Sequence, residues 1–353
     1  VIDLDDPSRV RDVDRGDMLG AIARLPEQAR SGYGTGRAVR PLPSLDQIAA
    51  VTYCGMGGSA VAGDVLRSLF RDRLGVPIDV QRGPELPGYC GPSTLVVCCS
   101  YSGTTQETLA CFDEALARGC RLIAVTSGGE LGARAAASGV PVVGVSAGMM
   151  PRAALGELAF GLLGALESAG LLPRLASDVD EAVGEMERLL GELAPEVPTD
   201  RNAAKRIARL IGERTPVFWG ADGLGATAAN RWRTQWNENA KLPAFASALP
   251  ELDHNEVVGW SAGRGRGFVV VALRHDGERP DVAARFEPSL AIAREAGAET
   301  VDVRASGRSA LARLCSLVVL GDLASAYAGI ARGIDPTPVE VIARLKAALA
   351  GGS

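Results

Sequence analysis

Two segments of this chain carry the residue types that hold a small anion. The first, Tyr53-Cys54-Gly55-Met56-Gly57-Gly58-Ser59-Ala60, leaves a predicted buried strand and enters a predicted helix. Glycines let a backbone approach an anion closely, and free N–H groups at a helix start favour negative charge. Gly57, Gly58 and Ser59 are therefore candidate phosphate ligands, with Ser59 adding a hydroxyl. The second segment, Ser100-Tyr101-Ser102-Gly103-Thr104-Thr105-Gln106-Glu107-Thr108, follows the apolar run Leu95–Cys99. Its hydroxyls cluster where a helix is predicted to begin, so Ser100, Ser102 and Thr105 can wrap a phosphate with side-chain and backbone donors.

Each loop has other readings. Gly55-x-Gly57-x-x-Ala60 also fits the dinucleotide-binding fingerprint, which expects an acidic residue at the end of the next strand. Here Pro77-Ile78-Asp79-Val80 runs into Gln81-Arg82, so Asp79 falls inside the strand and only Arg82 could meet a 2′-phosphate. A purely structural tight turn is a third reading. Thr104-x-x-Glu107 is a capping box, which needs no ligand but leaves Ser100 and Ser102 without a purpose. Two anion-suited loops at neighbouring strand ends favour a small phosphorylated ligand.

Elsewhere three charged residues invite a chemical reading. Glu238 lies late in a predicted helix beside Trp232 and Trp236, sharing a face with Arg231, Thr234 and Gln235. It reads equally as a general base or as a solvated glutamate near Arg231. His254, among Glu251, Asp253 and Glu256, is of the type that titrates near neutrality, though such a histidine also serves as a surface or capping group. Arg152 opens a predicted helix, where a cation opposes the dipole by about 0.3–1 kcal/mol, a mild sign of another purpose.

The elements that position these residues alternate. Apolar runs at Ile48–Cys54, Pro77–Val80, Leu95–Cys99, Leu122–Val125 and Val140–Val143 are predicted strands, separated by helices over Ser59–Arg71, Thr105–Ala117 and Leu131–Ser138. Two helices follow, near Ala153–Ala169 and Val179–Leu193, and Ala194–Pro198 breaks the chain. The pattern then restarts with strands at Pro216–Trp219, Gly267–Leu273, Thr300–Val303 and Cys315–Leu320. Helices near Asn202–Gly212, Gly225–Glu238, Val282–Ala296, Leu323–Arg332 and Val339–Leu349 separate or follow them. Strand–helix alternation is the signature of a parallel sheet covered on both faces. The expected organisation is a helix (Met18–Ala29) and a Gly/Pro connector (Ser31–Pro43) within 1–45, a first α/β lobe over 46–172 and a second over 173–353.

Composition narrows the class. The 353 residues are 47% hydrophobic and 22% charged, which suits an ordinary two-domain globular chain. A net charge of −5 and the lack of a basic stripe argue against nucleic acid. No run meets the roughly 18 uncharged apolar residues of a membrane span, and the acidic start Val1-Ile2-Asp3 lacks a signal-peptide pattern, so the cytoplasm is expected. Seven cysteines without a C-x-x-C pair, and two histidines, make a metal cage an unpromising reading; the cysteines read as buried small hydrophobes.

The two loops together resemble a SIS (sugar isomerase) domain. Gln235-Trp236-Asn237-Glu238-Asn239-Ala240-Lys241, Leu249-Pro250-Glu251-Leu252-Asp253-His254-Asn255-Glu256, Met150-Pro151-Arg152-Ala153-Ala154-Leu155 and Gly333-Ile334-Asp335-Pro336-Thr337-Pro338-Val339 resemble segments of the bifunctional phosphoglucose/phosphomannose isomerase family. The likeness runs in order from Gly55 to Lys346, with Thr104 standing where the family often has asparagine. It implies two doubly wound parallel-sheet SIS-type lobes, a phosphosugar substrate and a homodimer with an active site shared between subunits. It also implies metal-independent aldose–ketose isomerisation without a cofactor. By position, Ser59, Ser100, Ser102 and Thr105 would hold the 6-phosphate and Glu238 would be the base. His254 would open the ring, Arg152 would stabilise the intermediate and Lys346 would assist ring opening. Such chemistry needs a base over C1–C2, a ring-opening group and a nearby cation.

Overall fold

The structure is a computed structural model that describes residues 2–350. The side chain of Lys346 lies outside the described residues. Two parallel sheets organise the chain, as the alternating pattern requires. The first takes β1 (Ala50–Gly55), β2 (Ile78–Gln81), β3 (Thr94–Cys99), β4 (Arg121–Thr126) and β5 (Val142–Gly144) in the order β2-β1-β3-β4-β5. The second takes β6 (Thr215–Ala221), β7 (Phe245–Leu249), β8 (Phe268–Arg274) and β9 (Glu299–Arg304) in the order β7-β6-β8-β9. β1 and β3 are buried at every position, as expected for strands covered on both faces.

The strand order reverses between β1 and β3, and their ends are level, with Gly55 beside Cys99. In open α/β sheets ligands bind outside the carboxyl ends of strands at such a switch point. Both anion-suited loops leave there.

Three expectations change. The run Cys315–Leu320 is no strand but the middle of a helix, Ala310–Ala331, buried along nearly its whole length. This helix is long and apolar enough to cross a membrane, yet 94% of its most apolar window is buried inside the protein, where it packs on the helices Ala176–Glu192, Ala203–Ile211 and Leu224–Gln235. The expected connector Ser31–Pro43 is helical as far as Ala38, within the helix Leu25–Ala38. Its glycines are packing residues: a Cβ on Gly32 would meet Glu157 Cα at 2.7 Å, and one on Gly36 would collide with the Gly161 carbonyl. Finally, β7 is a strand where the sequence pattern predicts none.

Candidate active site

The glycine loop ends β1 and starts the helix Gly57–Phe70. Gly57 has φ +53°, and a Cβ on Gly58 would lie 2.9 Å from Arg152 N, so that loop rests against the turn bearing Arg152. Ser59 is buried; its Oγ accepts from Tyr101 N at 3.0 Å and thus ties the first loop to the second. Within the second loop, Ser100 Oγ shares a hydrogen bond with Thr105 Oγ1 at 2.8 Å and accepts from Gly103 N at 3.1 Å. Ser102, exposed, pairs its Oγ with Thr104 Oγ1 at 3.0 Å. The helix that follows begins at Gln106 with Thr105 as its cap residue and no side-chain capping bond, so the Thr104–Glu107 box does not form.

A third loop, at the end of β4, supports the second. Ser127 Oγ donates to the Tyr101 carbonyl at 2.6 Å, and Leu131 N donates to the Gly103 carbonyl at 2.8 Å. Gly103, at φ +69°, lies so close to Gly128 that a Cβ would collide with its carbonyl oxygen. The Thr126-Ser127-Gly128-Gly129 run carried a sequence signal for this, a glycine pair at a strand end.

Arg152 lies in a short 3₁₀ turn, Pro151–Ala153, rather than at the start of a long helix, and is 2% exposed. Nε donates to Asn239 Oδ1 at 2.9 Å, and Nη2 donates to the carbonyls of Pro336 and Thr337, each at 2.9 Å. Nη1 faces Glu238 Oε2 at 3.3 Å. Burial pushes the guanidinium below its ordinary pKa, and Glu238 opposes that shift. Behind it, Arg231 donates to the Arg152 carbonyl at 2.7 Å while held by Asp322 at 2.7 Å, both buried. Arg231 is therefore committed to Asp322 and Arg152, not to Glu238.

Glu238 sits on a π-helical turn, Trp236–Ala240, and its side chain is 27% exposed. Such turns interrupt a helix at some energetic cost and occur often at functional sites. A second π turn, Gly156–Phe160, follows Arg152, so both members of the pair sit at irregular helix starts or ends. The turn is anchored on its far side by Trp232 and Trp236, stacked with centroids 6.2 Å apart, and by Asn239 Nδ2, which donates to Ser325 Oγ at 3.0 Å. On its open side Glu238 lines a cavity of about 770 Å³ with Asn237, Lys241, Asp335, Pro338 and Val341.

The structure thus joins Gly58, Arg152 and Glu238 in one continuous cluster. It does not join His254 to them within the chain. His254 is exposed at the end of a 3₁₀ turn, Glu251–His254, after β7, and its side chain makes no hydrogen bond or ion pair among the described residues. The helix Glu340–Ala350 carries Lys346. Sequence reasoning did not single out Asn239, Lys241 or the carbonyls of Pro336 and Thr337, although all lie in the segments quoted for the family likeness. The dinucleotide reading loses its one supporting cation: Arg82 Nη2 is paired with Asp64 Oδ2 at 2.5 Å.

Comparisons with known proteins show the family and the fold. Residues 200–349 match the model of the bacterial phospho-glucose isomerase C-terminal SIS domain. The bifunctional phosphoglucose/phosphomannose isomerase of Caldicellulosiruptor bescii is 35% identical over 335 residues, 94% of this chain and 99% of that one. The protein of the same name from Aquifex aeolicus is 34% identical over 298 residues, covering 84% and 89%. A hypothetical protein from Thermus thermophilus superposes with TM-score 0.75 at 17% identity over 98% of this chain and 93% of its own, a likeness of fold. The chain belongs to the bifunctional phosphoglucose/phosphomannose isomerase family.

Proposed function

We propose that this protein interconverts fructose 6-phosphate with glucose 6-phosphate and mannose 6-phosphate through an enediolate. The observation that carries the reading is the contact of Glu238 with Arg152, on a turn that abuts the glycine loop. The loops hold the 6-phosphate through Gly57, Gly58, Ser59, Ser100, Ser102 and Thr105. Glu238 takes the proton from C2 of the aldose or C1 of the ketose; the C–H electrons form the C1=C2 bond as the carbonyl π electrons move onto their oxygen. A proton passes between O1 and O2 of the enediolate, the other carbonyl re-forms, and Glu238 returns its proton to the other carbon. Arg152 supplies positive charge beside the developing enediolate in a site of low dielectric. Glucose and mannose 6-phosphates differ only at C2, which is planar in the enediolate, so one base can deliver either epimer.

His254 relays the anomeric hydroxyl proton (on O1 of the aldoses, O2 of the ketose) to the ring oxygen as the carbonyl forms and the bond between the anomeric carbon and the ring oxygen breaks, and Lys346 assists. Since His254 is exposed and has no side-chain partner among the described residues, the reading assigns it to the site of a second subunit. The last helix supports such a dimer: Val341 and Leu345, 74% and 60% exposed, lie on the element that rims the Glu238 cavity. The 1–45, 46–172 and 173–353 division belongs to the same reading, as does a cytoplasmic location, which suits cysteines that are all free.

The test is incubation with fructose 6-phosphate and a strong chelator, with glucose 6-phosphate and mannose 6-phosphate quantified separately. Both products are expected. Neither product, with binding retained, would mean a sugar-phosphate sensor or an isomerase of another phosphosugar.

A further inference from the structure

The residue that ends the π turn has no part in the reaction as just described. Lys241 adopts φ +55°, ψ 35°, in the left-handed region that disfavours side chains with a Cβ. Past the end of a helix this position is the usual place for glycine. A lysine held there is, with Asp17 and Gln47, one of the non-glycine residues at positive φ, a costly conformation that clusters at active sites and ligand clamps.

Its Nζ donates to the Glu238 carbonyl and to the Pro336 carbonyl, the latter at 2.8 Å. The Pro336 carbonyl also accepts from Arg152 Nη2, whose Nη1 faces the Glu238 carboxylate. Two cations therefore fasten opposite ends of the same glutamate, its backbone and its carboxylate, to one segment of chain. We propose that Lys241 is a positioning residue that sets the orientation of Glu238 by clamping its turn to the Pro336 segment. The inference rests on the reading of Glu238 as the base.

The charges facing Lys241 are Arg152 from the 3₁₀ turn, Glu238 from its own turn and Asp335 from the C-terminal segment. Burial, reinforced by Arg152 and opposed by Glu238 and Asp335, holds its pKa at about 8. The ammonium form is present below that pH and is lost above it, so the clamp weakens on the alkaline side.

A purely structural lysine and a positioning lysine predict different results for K241G. Glycine relieves the backbone strain, so if Lys241 only terminates the helix, K241G is as stable as wild type and as active. The inference predicts an unchanged or raised Tm together with a kcat lower by roughly 10–100-fold, the effect of a small misplacement of a reacting group, and a near-constant KM for fructose 6-phosphate. K241M, which keeps the aliphatic stem, should show the same loss and serves if K241G unfolds. K241R should restore most of kcat and move the alkaline limb of the kcat profile, about pH 8 in wild type, to higher pH. Wild-type kcat in both K241G and K241M, or K241R as impaired as K241M with no shift of the alkaline limb, would overturn the inference alone. A wild type that binds fructose 6-phosphate without turning it over would overturn both the inference and the isomerase reading.

Discussion

Glu238 is held without being sealed. Arg152 meets its carboxylate at 3.3 Å while 27% of its side chain stays open to the cavity. Replacing it with glutamine keeps the shape and the contact to Arg152 but removes the proton acceptor. E238Q should therefore lose roughly 10²–10⁴-fold in kcat while KM changes little, as measured by steady-state kinetics on fructose 6-phosphate. Ser102 makes the complementary case. It is exposed, and its hydroxyl is shared only within its own loop, with Thr104. A hydrogen bond to a charged group is worth about 1.5–3 kcal/mol, so S102A should raise KM about tenfold or more with kcat largely kept. An unchanged KM would return the second loop to a structural turn. Ser59 and Ser100 are less clean targets, because both are buried, Ser59 tying the first loop to the second and Ser100 bracing the second from within.

Elements were legible in the sequence to the extent that their burial left a pattern. β1, β3, β4, β6 and β8 are apolar runs with turn residues behind them, and the strand reading follows directly. The run Cys315–Leu320 defeats that logic, because a helix buried on all sides shows no polar stripe and looks like a buried strand over six residues. β7, Phe-Ala-Ser-Ala-Leu at the sheet edge, is too short and too small in its side chains to announce itself. Glycine misled in the opposite direction: the helix Leu25–Ala38 has three glycines, which read as a connector but mostly mark close helix packing. This last point is testable. G36A should destabilise by about 1–3 kcal/mol, because its Cβ would collide with the Gly161 backbone. G34A, in the same helix but with nothing within 4 Å of the added Cβ, should be neutral or stabilising by about 0.5–1 kcal/mol. Urea midpoints at constant m would report both; equal effects would contradict the packing account. The site was legible as residue types in quoted segments, but not as a constellation. Arg152 meets Glu238 across 86 positions and Pro336 across 184, and only the packing of the two lobes brings them together.

Two sheets with related strand order leave the first lobe with the phosphate-suited loops and the second with Glu238, the proposed base. His254 belongs to neither cluster within one chain, which is why the proposed site spans two subunits. Mixing inactive subunits tests this directly. If Glu238 and His254 of one site come from different chains, an E238Q–H254N heterodimer contains one site with both native residues and one with neither. Equal mixing under conditions of subunit exchange should then restore roughly a quarter of wild-type activity, as two-fold symmetry requires. No recovery, with heterodimers demonstrated by native mass spectrometry, would place His254 in the same chain as its Glu238, and an H254N homodimer as active as wild type would place His254 outside the site.

The central claim is that Glu238 moves a proton on carbon. It is tested most directly by running the reaction from fructose 6-phosphate in deuterium oxide and following C2 of the aldose products by NMR. The account predicts deuterium at C2 of both glucose 6-phosphate and mannose 6-phosphate with the wild type, and with E238Q product and label slower by the same roughly 10²–10⁴-fold. Products formed with hydrogen retained at C2 throughout would point to direct hydride movement between the carbons. Labelled products from E238Q at the wild-type rate would remove Glu238 from the role of base.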